Sequence, residues 1–157
     1  MILGLAAAAS FYGLTAGPAL SQSRIGGIYQ EFKSNSCDNF DSSPCTVAFS
    51  VLLRQPLKVL KASCTILTSE GGSPSKEITG ASLGRLSENE KTYIAGQFLA
   101  PIQSEFAGPG QVVLNFLVDT LLVVPKNWKP AIRISRLNNP PIAATCSIVG
   151  EEVGAAD

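Results

Sequence analysis

The chain has 157 residues, with twelve Lys and Arg balanced by twelve Asp and Glu, no histidine and four cysteines. Neutral charge leaves no electrostatic footprint for nucleic acid or an anionic membrane. Without histidine there is no Ser-His-Asp or Cys-His arrangement and no His metal ligand, and the sequence calls for no cofactor.

Residues Ile2 to Leu20 carry no charge, and the apolar run ends near Gly17-Pro18. Ala19-Leu20-Ser21 follows, with small residues at the two positions a signal peptidase inspects, so residues 1–21 read as a cleaved secretory signal. The mature chain then starts at Gln22 as a single domain, 22–157, in the periplasm or outside the cell, with no integral span. No Asn-X-Ser/Thr sequon occurs.

After the signal the dominant pattern is period-two alternation, the mark of half-buried strands. A first strand fits Ile25 to Phe32. A polar loop, Asp38 to Pro44, separates Cys37 from Cys45. From Cys45 to Leu53, Val47, Phe49, Val51 and Leu53 share one face. From Lys58 to Thr68, Leu60, Ala62, Cys64 and Ile66 point one way and Lys61, Ser63 and Thr65 the other. Weaker strands fit Lys76 to Leu83 and Thr92 to Ala100. Between them, Ser87 to Lys91 reads as a helical turn, capped by Ser87 with Glu90 reciprocating.

From Gln111 to Val118, Val112, Leu114, Phe116 and Val118 share a face. The next block, Leu121 to Val124, is continuously apolar. It fits a central strand covered on both faces; the alternative is an exposed apolar edge that pairs with a partner, as in an assembly or adhesion subunit. Ala131 to Leu137 places Ile132 and Ile134 inward. Ile142 to Val149 places Ile142, Ala144, Cys146 and Ile148 inward. Residues from about 151 read as a disordered tail. Gly/Pro/Asn clusters separate the runs. About eight strands with regular turns predict an all-β, antiparallel sandwich, immunoglobulin-like or jelly-roll-like; a small β-barrel is the alternative.

Four cysteines allow three pairings. Cys37–Cys45 across a short loop and Cys64–Cys146 between distant strands is the natural one. The nearest Cys spacing, eight residues, does not suit zinc.

Ser73-Pro74-Ser75-Lys76 has Ser-x-x-Lys spacing but sits in a Gly/Ser/Pro loop. The oxygens of Asp38-Asn39-Phe40-Asp41 lack EF-hand spacing, so no metal site is assigned. Asp119 interrupts an apolar stretch, so its carboxylate is solvent-facing, paired or perturbed; with a second Asp or Glu it is the basis for a carboxylate-only hydrolase, the rival to a non-enzyme. The best surface patch is Lys126, Trp128, Lys129 and Arg133: the only Trp among several cations, suited to a protein or glycan partner. The sequence thus predicts an exported, non-catalytic binding or structural module.

Overall fold

The computed structural model describes residues 21–37, 44–50, 55–68, 78–108, 111–136 and 142–154, with the side chains at 21–22 and 101–112 excepted. The described residues form an all-β antiparallel sandwich. Its strands are β1 (Ser21–Ile25), β2 (Ile28–Cys37), β3 (Cys45–Ala48), β4 (Leu57–Thr68), β5 (Ile78–Ser87), β6 (Tyr93–Leu99), β7 (Pro101–Gly108), β8 (Gln111–Val124), β9 (Trp128–Arg136) and β10 (Ile142–Glu152). One sheet has the order β1-β2-β10-β4-β8-β7 and the other β3-β9-β5-β6, so the alternation closes as two layers and not as a barrel.

The inward rows of both sheets make one core, with Val59, Ile66, Leu83, Ile132, Ile134 and Ile148 fully buried. Cys64 and Cys146 lie within it, directly opposite in the β4–β10 ladder, and are disulfide-bonded. Cys37 and Cys45 are bonded as well, which ties β2 of the larger sheet to β3 of the smaller. In the chain-entropy account, closing loops of 82 and 8 residues stabilises by about 4.5 and about 2.5 kcal/mol.

A second tie between the layers is polar. Glu31 of β2 is buried, and its carboxylate accepts from the Tyr29 hydroxyl, from the Ser50 amide at 2.9 Å and from the Ser50 hydroxyl at 2.9 Å. A buried carboxylate requires such donors, since each unpaired polar group costs about 1–3 kcal/mol. Burial, followed by the bond to Glu31, pushes the Tyr29 hydroxyl far above its ordinary value.

The outer face of the larger sheet is hydroxyl-rich. Ser34 pairs with Thr145 at 3.0 Å, Ser63 with Ser147 at 2.7 Å, and Thr65 donates to Asn115 at 2.9 Å.

Several expectations change. The strand expected over Ile25 to Phe32 is a hairpin: Gly26 and Gly27, at φ 57° and 80°, supply the paired left-handed residues of a tight turn. The strand from Cys45 ends at Ala48; Phe49 is buried, and Val51 and Leu53 lie outside the described residues. In β4, Ala62, Cys64 and Ile66 face inward, but Leu60 does not join them. A register shift between Val59 and Lys61 changes the phase, and Leu57 and Val59 fill the core below it.

Ser87 to Lys91 is a β5–β6 turn and not a helical one. Glu90 takes φ 61°, its amide donates to the Ser87 carbonyl at 2.8 Å, and its carboxylate turns to Lys129 instead of back to Ser87. The block at Leu121 to Val124 is not covered on both faces: Val124 is buried, whereas Leu121 is 74% exposed. β10 runs past 151 to Glu152, and the Glu152 and Val153 amides donate to Gly27 and Pro56 carbonyls.

Candidate functional site

The Trp128 corner is built by the turn between β8 and β9. Asn127 takes φ 67°, and the Trp128 amide donates to the Pro125 carbonyl at 3.2 Å. The indole is half-buried, packs on the core, and has the Arg85 guanidinium 5.5 Å from its ring centroid. Lys126 stands in solvent on the turn. Lys129 pairs with Glu90, and that hydrogen bond holds the Glu90 carboxyl below its usual range.

Arg133 lies further along β9, stacked 4.0 Å over the Tyr93 ring. The Tyr93 hydroxyl donates to the Ser82 carbonyl at 2.8 Å, and burial raises its pKa. Lys126, Trp128 and Lys129 therefore share one corner, while Arg133 belongs to a separate stack.

A second site lies where β6 crosses the open half of β8. Three ladders lose register there. Between β4 and β10 the shift falls at Val149/Gly150, between β4 and β8 at Val59/Lys61, and between β5 and β6 at Leu83/Gly84, opposite Gly96. Bulges re-aim side chains and bend strands, and these surround a cleft of about 570 Å³ lined by Leu60, Gln97, Asp119, Thr120 and Leu121. Gly96 lies close under Leu122: a Cβ there would stand 2.5 Å from Leu122 Cδ1 and would make that side chain shift.

β7 pairs with β8 only as far as Phe116, so beyond that point β8 keeps β4 on one side alone. Side chains occupy the backbone of the other edge. Gln97 Nε2 donates to the Asp119 carbonyl at 3.4 Å, and the Leu122 amide donates to Thr120 Oγ1 at 3.2 Å. Outward from this edge stand Leu117, Leu121 and Val123, whereas Phe98 of β6, 83% exposed, lies on the opposite face of its strand from Gln97.

Asp119 is 87% exposed at its side chain, with Lys61 Nζ 3.8 Å away. Among the described residues no second carboxylate lines this cleft, and no cluster of acidic or cysteine residues suited to a metal occurs. The segments Asp38 to Ser43 and Ser73 to Lys76 lie outside the described residues.

Sequence reasoning singled out Asp119 but not Gln97, Leu60 or the cleft. The one local signal was Gly96 within a strand-like run, since glycine inside a strand marks a bulge or a close approach.

No known family model matches the sequence, and no curated protein matches it. Among solved structures, Eiger TNF from S. frugiperda is similar with a TM-score of 0.43 and 11% identity, over 80% of this chain and 96% of that chain. At that level no property of that protein is carried over.

Proposed function

We propose that this chain is an exported, non-catalytic binding module that meets a protein partner through the β6–β8 side of its sandwich. What carries this is the 74% exposure of Leu121, which lines the cleft, together with exposed Leu117 and Val123 on the same strand. Leaving large apolar side chains in water forgoes about 25 cal/mol per Å², and clusters of them mark interaction surfaces. Two disulfides fit an oxidising compartment and, with the N-terminal pattern, support removal of residues 1–21 and a mature domain from Gln22.

The partner docks on side chains instead of adding a strand, because Gln97 and Thr120 already occupy edge groups of Asp119 and Leu122. A protein suits the surface better than a glycan, since among the described residues no aromatic ring lines the cleft on which a sugar would stack. The Trp128 corner, with Lys126 in solvent, is a secondary contact; Lys129 and Arg133 are engaged within the fold.

Site-specific photo-cross-linking in the producing cell tests this. A cross-linking residue at Leu121 is expected to give a discrete adduct, while one at Thr65, on the same outer face but toward the other end of the β4–β8 ladder, gives none. Equal adducts from both positions, or none from Leu121, would overturn the reading.

A further inference from the structure

We infer that the β6–β8 cleft receives a guanidinium side chain, an arginine of the partner, on Asp119 and Gln97. This rests on the reading of that side as a contact surface and names what anchors there.

The cleft mouth presents two unbonded acceptors, the Asp119 carboxylate and Gln97 Oε1. Gln97 commits one of its two Nε2 N–H groups to the Asp119 carbonyl, and its Oε1 accepts no bond from the described residues. Thr120 Oγ1 already accepts from the Leu122 amide. The Asp119 carboxylate has only Lys61 near it, and 3.8 Å is too long for a hydrogen bond. Among the described residues, therefore, no donor is bonded to the Asp119 carboxylate or to Gln97 Oε1.

A ligand that satisfies this mouth brings several donors and positive charge. Guanidinium has five N–H donors in a planar fork that matches a carboxylate, and none of the acceptors that would clash with Gln97 Oε1. The rest of the lining is aliphatic: Leu60 is half-buried and Leu121 projects into solvent. Such walls suit the methylene stem of an arginine, which buries along apolar surface while its head stays polar. A lysine would supply charge without the fork. A carboxylate or phosphate would meet the Asp119 charge and Gln97 Oε1, which disfavours anions.

Lys61 is the internal competitor. It approaches Asp119 from β4, opposite it in the ladder, and its ammonium is half-exposed and unbonded to the carboxylate. An incoming guanidinium displaces a loose ion pair and not a hydrogen-bonded one, and such exposed pairs are worth little.

The test is a backbone-amide NMR titration of the disulfide-bonded protein with N-acetyl-arginine-amide, and in parallel with N-acetyl-citrulline-amide, its neutral isostere. Saturable shifts are expected at Gln97, Asp119 and Leu121 with the arginine compound and not with citrulline, weakening as salt is added. Asp119→Asn should weaken binding about tenfold or more, and Lys61→Gln should strengthen it. Equal response to citrulline, no saturable shift at these amides, or an Asp119→Asn variant that binds as before would each overturn the inference. Adducts from Leu121 without an arginine response would leave the contact surface standing and remove only its anchor. An arginine response without adducts would do the reverse.

Discussion

Glu31 and Ser50 join the two layers of the sandwich: both the amide and the hydroxyl of Ser50, which follows β3, donate to the buried carboxylate on β2 at 2.9 Å. The Tyr29 hydroxyl completes the set. Glu31→Gln keeps the volume but places an amide NH₂ against donors, and should lower unfolding free energy by about 2 kcal/mol; Ser50→Ala, which leaves the backbone bond intact, by about 1 kcal/mol. Urea unfolding of the two variants checks the order. A Glu31→Gln protein as stable as the parent would mean the carboxylate is not a tie.

The same node makes an alkaline prediction. The Tyr29 phenol is held protonated in the folded state above the ordinary phenol value of 10.0, so the unfolded chain releases this proton first. The stability this contributes is complete below pH 10.0 and falls as pH rises above it. Tyr29→Phe should flatten that decline, read as thermal midpoints across the alkaline range. A parent and variant that lose stability in parallel would place the sensitivity elsewhere.

The disulfides should be unequal. Replacing Cys64 and Cys146 by Ala is expected to cost about 4 kcal/mol or more, since loop entropy returns to the unfolded chain and the core loses contacts. Replacing Cys37 and Cys45 should cost about 2.5 kcal/mol. Chemical denaturation of the two double variants gives the comparison, and the reverse order would contradict the closed-loop account.

Trp128 is half in the core and half under Arg85. Trp128→Ala should therefore reduce stability by about 2 kcal/mol, and Arg85→Ala by less. If Trp128→Ala unfolds at the parent's denaturant midpoint, the indole is a solvent-facing contact and the secondary surface becomes the stronger one.

How far the sequence reached can be read from particular strands. Alternation in Ile142 to Ile148 places four residues inward, and all four are buried, because an uninterrupted strand obeys a strict period of two. In β4 the same rule fails at Leu60, where one added residue shifts every position below it to the other face. The apolar block at Leu121 misleads for a related reason: an apolar run shows what a strand would prefer to bury, not whether a neighbour is present. β7 stops pairing at Phe116, and β6, which passes beside Leu122, belongs to the other sheet.

Composition and local pattern by themselves determined that this chain is all-β and antiparallel, most of the inward rows that make its core, and which chemistry a histidine-free sequence lacks. These follow from the period-two geometry of a strand and from side-chain inventories, both local properties. That the strands close as a sandwich and not a barrel took the tertiary structure. Only the tertiary structure decided that Gln97 meets Asp119, that three register shifts converge on one cleft, and that Lys129 and Arg133 are engaged within the fold. Those outcomes depend on which strands become neighbours and at what register. That choice is made by the packing of the whole core, and no short window of sequence contains it.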